Sequence, residues 1–263
     1  MNNIKTKKSL GQNFLIDRSV LEEIVNTVEI KDKEVLEIGP GSGNLTSYIL
    51  KKKPKKIHVI EKDNDLAKLL SVKFNNEINI INNDVLKVSI DKISEEKLIV
   101  FGNLPYNIST EIISKWIIDI DKKFWFTSLI LMFQKEVADR IIANQNTSNY
   151  GRLSILSNWK LNIKKILDIK PESFSPRPKI DSTLLVFTPK KKIFELKESK
   201  SLEIVTRIFF SQRRKMLKKP FNKLFKNAKE VSDKFNIDLN LRPQNLDPEM
   251  YYRLAKEFEN LRS

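Results

Sequence analysis

The sequence holds no cysteine and a single histidine, His58, in 263 residues. Without cysteine there is no disulfide framework, no thiolate metal site and no cysteine nucleophile. One imidazole cannot build a histidine-based metal cluster, so no metal is expected at the site. No apolar stretch approaches the roughly 18 residues a helix needs to cross a bilayer. The opening Met1-Asn2-Asn3-Ile4-Lys5 has no apolar signal core, so a cytoplasmic protein with no membrane association is the expectation. An apolar fraction of 40% beside 31% charged residues excludes a disordered chain. The length suits one large domain or two modest ones, each with its own core.

What the chain has in excess is positive charge: 48 basic against 33 acidic residues, a net +15. That balance points to a polyanionic partner such as nucleic acid. Its placement is more telling than its total. Residues 191–263 hold 18 basic and 10 acidic residues, a larger surplus than that of the 190 residues before them. The run Pro189-Lys190-Lys191-Lys192 marks a charged break before a helical tail, which predicts a catalytic domain over 1–190 and a small all-α, basic domain over 191–263. Within the tail, Arg207 to Lys226 has eight basic residues and no acidic one. Its aromatics are expected to pack the small domain's core, leaving Arg213, Arg214, Lys215, Lys218 and Lys219 for nucleic-acid phosphates.

The remainder reads as alternating strands and helices. A basic opening arm leads through Asp17-Arg18-Ser19 into apolar residues at helical spacing, Val20, Leu21, Ile24, Val25 and Val28. Glu34 to Thr46 is an apolar strand, a glycine turn and a helix start, the first unit of a doubly wound α/β sheet with helices on both faces. The glycines Gly39, Gly41 and Gly43 allow close approach of backbone to ligand. The dinucleotide fingerprint is broken, because Asn44 stands where its third glycine belongs. The next strand, carrying His58 as a structural residue, ends at Glu61, 22 residues beyond Gly39, where a carboxylate can take both ribose hydroxyl protons of a nucleoside. A third, from Ile78 to Asn82, ends near Asp84, a candidate acceptor for an adenine amino group. A fourth, Leu98-Ile99-Val100, runs into Asn103-Leu104-Pro105-Tyr106. That stretch alone is compatible with a simple strand-ending turn. Yet an amide, a stiffening proline and a flat ring can also hold an exocyclic amino group on a planar base. Four successive strand ends thus present Gly39, Glu61, Asp84 and Asn103 along one sheet edge, which favours a nucleoside pocket.

Further along, helices are expected over 112–118 and 134–143 and a strand over 128–132. Beyond Gly151, Leu153, Ile155 and Leu156 alternate only loosely. Late strands follow at 163–169 and 184–187, with the proline-rich loop Pro171 to Pro178 between them. Phe174 in that loop can cover a base from the side opposite Tyr106.

Several longer motifs accompany these positions: Gly11-Gln12-Asn13-Phe14-Leu15, the Asn103 to Thr110 stretch, Gln134 to Ala138, Tyr150 to Ser154 and Phe174 to Ser182. With them the chain resembles, over essentially its whole length, the small-subunit ribosomal RNA adenine dimethyltransferase family. The resemblance implies a Rossmann-like fold that uses S-adenosylmethionine. It implies cofactor contacts from Asn13, Leu15, Gly39, Glu61, Asp84 and Asn103, and a catalytic stretch of Asn103, Leu104, Pro105 and Tyr106 with Phe174. The implied product is N6,N6-dimethyladenosine at two adjacent adenosines near the 3′ end of 16S rRNA, and the implied partner an immature small ribosomal subunit bound by a monomer. Two rivals remain: the sister family that methylates large-subunit RNA, and a ribosome-assembly binding factor with secondary catalysis.

Overall fold

A computed structural model of the chain describes residues 12–120 and 123–262. These fall into two compact units. Within the described residues, the first takes those up to Ile112, those from 123 to Ala138, and Ile163–Pro189. The second takes those from Ile113 to 120, Asp139–Asn162, and those from Lys190 onward. The second unit's last segment thus begins at the charged break, and it also collects two earlier segments that nothing in their composition sets apart.

The first unit is built on a seven-stranded sheet. Numbered in chain order, β1 is Phe14–Leu15, β2 Glu34–Ile38, β3 Lys56–Ile60, β4 Asn79–Ile81 and β5 Leu98–Asn103, followed by β6 Phe126–Gln134, β7 Leu161–Ile169, β8 Phe174–Ser175 and β9 Ser182–Pro189. The sheet order is β4-β3-β2-β5-β6-β9-β7, while β1 and β8 form a separate antiparallel ribbon. β2 runs parallel to both β3 and β5; β4 and β6 continue the parallel set, and β9 turns antiparallel to β6. Buried parallel strands need apolar residues on both faces. Val35, Leu36, Val59, Val100 and Phe101 meet this, all fully buried, and each such side chain contributes about 1.5–3 kcal/mol by leaving water. Because the chain winds outward from β2 in one direction and returns to β5 on its other side, the order reverses between them. That switch point opens a crevice at the strands' carboxyl ends.

Helix α1 (Arg18–Val25) starts where Asp17 accepts from the Ser19 and Val20 amides, at 3.0 and 3.3 Å. Helix α2 (Asn44–Lys51) follows Gly43 directly, and α3 (Asn64–Phe74) is capped by Asp63. α4 (Ser109–Asp119) and α5 (Lys135–Ile141) complete the helices expected before Gly151. His58 is structural, as its strand position implies: it is buried in β3 between Glu34 and Asn79, 3.3 and 3.0 Å away, and burial lowers its pKa.

Residues Arg152–Lys160 form helix α6, despite their loose alternation. Six of its nine residues are buried, Ser154, Ser157 and Lys160 among them, so no single apolar face marks its period. The Lys160 ammonium donates to the carbonyls of Ile117, at 3.0 Å, and Ile120, which end α4. Cations are favoured at such an end. The remaining helices are α7 (Ser199–Phe210), α8 (Lys218–Leu224), α9 (Ala228–Lys234) and α10 (Pro248–Asn260). Phe209 packs edge-on against Phe221 and Tyr251 at 5.4 and 5.6 Å, so the tail's aromatics do form its core. No helix among the described residues is long and apolar enough to cross a membrane.

Candidate active site

The crevice is a cleft lined by nine of the ten predicted residues: Asn13, Leu15, Gly39, Glu61, Asp84, Asn103, Leu104, Pro105 and Tyr106. Each sheet-borne one sits where its strand ends. Gly39 follows β2, Glu61 follows β3, Asp84 lies just past β4, and Asn103 closes β5.

The glycine turn is left-handed at Gly39 (φ 64°) and Gly41 (φ 57°), a backbone that side chains resist. At Gly41 space is also closed, since a Cβ there would lie 2.7 Å from the Phe14 ring. The Gly41 amide donates to Glu61 Oε2 at 3.1 Å, and the Asp63 amide donates to Oε1 at 2.9 Å. Glu61 is thereby fixed with lone pairs left on both oxygens for a diol. Its burial raises its pKa, against the pull of these amides. From outside the turn, Lys73 of α3 donates to the Ser42 and Gly43 carbonyls at 2.9 and 3.2 Å.

Asp84 accepts from Lys62 Nζ at 2.8 Å and from the Leu86 amide at 3.0 Å. Lys62 is the main cause of its lowered pKa, so it is a carboxylate. Asn103 Nδ2 donates to the Asn13 carbonyl at 2.8 Å. A carbonyl only accepts, so this bond sets which way the amide faces and leaves Oδ1 as an acceptor. Tyr106 Oη and Ser182 Oγ share a hydrogen bond of 2.6 Å.

The opening arm is stitched across the cleft. Asn44 Nδ2 donates to the Leu15 carbonyl at 2.8 Å, and Gln12 Nε2 donates to Asp63 Oδ2 at 3.1 Å. Asn44, read above only as a missing glycine, therefore has a positive use. The lysines of the arm, Lys5, Lys7 and Lys8, lie outside the described residues.

Phe174 is not brought to the cleft. It is 3% exposed and its ring lies in the core with Leu15, Ile24, Ile169 and Leu184. The ribbon explains this: Phe174 pairs with Leu15 in β1, and side chains alternate along a strand, so the core takes Phe174 and solvent takes Ser175. The expectation that it covers a base is corrected accordingly.

Glu37, for which the sequence suggests no role, also lines the cleft. It is almost fully buried and accepts from Thr46 Oγ1 at 2.6 Å. Burial, with the negative Glu61 nearby, pushes its pKa up to about 7. The available signal is an acid flanked by Leu36 and Ile38 in the apolar part of β2, two residues before the glycine turn.

In the second unit the basic stretch divides. Arg213 is engaged, its guanidinium donating to Gln244 Oε1 at 3.3 Å and the Thr147 carbonyl at 3.1 Å, which ties it to other parts of the second unit. Arg214, Lys215, Lys218 and Lys219 are exposed.

A parallel sheet reversing at β2 and β5, a glycine turn against the cleft, and acids at the next two strand ends define a nucleoside-binding crevice, the kind that S-adenosylmethionine-dependent methyltransferases use. The cleft fits that cofactor, offering a close-approach backbone at Gly39 and Gly41 and carboxylates to a cationic nucleoside. The model of the ribosomal RNA adenine dimethylase family matches residues 3–260. Ribosomal RNA small subunit methyltransferase A of Pelagibacter ubique (strain HTCC1062) is 73% identical over 98% of this chain and 99% of its own. Among solved structures, a dimethyladenosine transferase from Plasmodium falciparum superposes with a TM-score of 0.77 at 28% identity, over 94% of this chain and 98% of that one. The 23S rRNA methyltransferase ErmE, at 22% identity and a TM-score of 0.67 over 94% and 99% of the two chains, shares the fold. The chain belongs to the ribosomal RNA adenine dimethylase family.

Proposed function

We propose that this protein transfers methyl groups from S-adenosylmethionine to N6 of two adjacent adenosines near the 3′ end of 16S rRNA, giving N6,N6-dimethyladenosine. Its substrate is an immature small ribosomal subunit in the cytoplasm, and it acts as a monomer with a role in subunit biogenesis. Residues 1–190 supply catalysis and 191–263 grip the RNA. The observation carrying this reading is the Asn103 amide, whose Nδ2 is held by the Asn13 carbonyl while Oδ1 is left to accept beside Tyr106 in the cleft. The small-subunit assignment rests on the relative at 73% identity, whose name states that substrate.

S-adenosylmethionine supplies an electrophilic methyl on a sulfonium. The Gly39 turn takes its amino-acid end, Glu61 its ribose hydroxyls and Asp84 its adenine amino group, with Asn13 and Leu15 closing over it. The harder task is the nucleophile, because an adenine amino nitrogen delocalises its lone pair into the ring. Asn103 Oδ1 and the Leu104 carbonyl accept its two N–H bonds, which aims the pair at the methyl and stabilises positive charge as it grows. Pro105 holds the turn, and Tyr106 stacks on the base once it has left its own stack. With Phe174 in the core, the stack is one-sided. The proton leaves after transfer, and no side chain is assigned as a base.

The test incubates the chain and its Asn103→Ala variant with labelled S-adenosylmethionine and under-methylated small subunits, then digests the RNA to nucleosides. The expected result is label in N6,N6-dimethyladenosine from the wild type and at least a hundredfold less from the variant, on the order of a lost transition-state donor or acceptor. With large subunits offered in parallel, label in large-subunit RNA alone would move the chain to the sister activity. Tight binding without label would make it an assembly factor.

A further inference from the structure

The motif that ends in Lys179-Ile180-Asp181-Ser182 does not reach the cleft through Phe174, yet its last residue reaches it another way. Ser182, fully buried, is the first residue of β9 and stands opposite Gln134 at the end of β6. Its chain neighbours are pinned on both sides. The Asp181 carbonyl accepts from the Lys135 amide at 2.9 Å. Thr183 Oγ1 donates to Asp168 Oδ1 at 2.6 Å, and Lys135 and Lys165 hold the other oxygen at 3.0 and 2.8 Å. The backbone that carries Ser182 Oγ is thus fixed on the sheet.

Tyr106 lies on the loop between β5 and α4, where nothing in its backbone fixes the ring. Its phenol is part-buried, and a buried hydroxyl must find a hydrogen-bond partner. Among the described residues that partner is Ser182, at 2.6 Å. Oη lies on the ring's Cβ–Cγ axis, so this bond fixes where the ring's tip sits, and for a stacking platform that place beside the base is the function.

We infer that Ser182 is a positioning residue for methyl transfer: its hydroxyl, carried on β9, holds the Tyr106 ring at the place where the target adenine stacks on it. This rests on the reading of Tyr106 as the stacking platform. Removing either hydroxyl frees the ring while leaving its area intact, so Ser182→Ala and Tyr106→Phe are two routes to one defect.

The experiment measures kcat and KM on under-methylated small subunits, with S-adenosylmethionine affinity and melting temperature, for Ser182→Ala, Tyr106→Phe, the double variant and Tyr106→Ala. Each single loss of a hydroxyl is expected to lower kcat about tenfold, the scale of a modest misplacement, with cofactor affinity unchanged and melting temperature lowered by no more than one unpaired buried hydroxyl costs. The double variant is expected to fall no further than the worse single, because both remove one bond. Ser182→Ala at wild-type kcat, additive losses in the double variant, or a kcat loss matched by losses of cofactor affinity and melting temperature would each overturn the inference. Tyr106→Ala separates the two levels. If it is active, the stacking reading itself falls; if it is inactive while Ser182→Ala is intact, only the role of Ser182 does.

Discussion

Glu37 carries a charge decision that the cleft makes at neutral pH. Its neighbours Val35, Leu36 and Ile38 are buried, and Thr46 donates a hydrogen bond to it. Desolvation disfavours the carboxylate, Glu61 adds to that, and Lys73 opposes it, leaving the group at about 7 instead of 4.5. The sign follows from linkage. A pKa raised on folding contributes stability below about 4.5, and that stability is lost as pH rises through about 7. Glu37→Gln removes this loss, so the variant gains melting temperature relative to wild type between pH 5 and pH 8, by up to about 3 kcal/mol in stability. A cationic cofactor favours the carboxylate, so wild-type affinity for S-adenosylmethionine rises with pH through about 7 and the Gln variant loses that rise. Titration calorimetry at pH 6 and pH 8 checks it, and parallel pH dependence in both proteins would remove Glu37 from the cofactor's environment.

At the scale of elements, the strand ends were legible because a buried parallel strand advertises itself as a short apolar run, and a glycine turn or an acid at its end is visible without coordinates. Gly39, Glu61, Asp84 and Asn103 needed nothing more to be placed on one edge. Phe174 was illegible for a physical reason: which side of β8 faces the core is decided by its pairing with β1, a contact between distant parts of the chain. Helix α6 hid its period because it is buried on more than one face. Asn44 was legible only as an absence. Its bond to the Leu15 carbonyl ties the arm to the glycine turn, and one such bond contributes about 1 kcal/mol. Asn44→Ala is therefore expected to weaken cofactor binding about fivefold with the fold retained. Asn44→Gly should do the same, although it completes the dinucleotide spacing. Affinity equal to wild type in both variants would mean the arm closes without this tie.

Across the whole molecule, the net +15 promises attraction to any polyanion but says nothing about which cations do the work. Density along the sequence picked out 207–226 correctly as a basic stretch, because a helix-rich segment with no acid must present its cations to solvent or bury them at great cost. Density could not separate Arg213 from its neighbours, since its partners, Thr147 and Gln244, are remote in the chain. The two kinds of arginine and lysine predict different measurements. Replacing Arg214, Lys215, Lys218 and Lys219 together by Ala removes counterion release at four positions. If each contacts a phosphate, the slope of log K against log salt for subunit binding falls by about three, at about 0.7–0.9 per contact, with melting temperature unchanged. Arg213→Ala is expected to do the reverse, lowering melting temperature through the lost ties while leaving the salt slope in place. A quadruple variant with the wild-type slope would transfer RNA affinity to another surface, and an Arg213 variant that changed the slope alone would return that residue to the phosphate contacts.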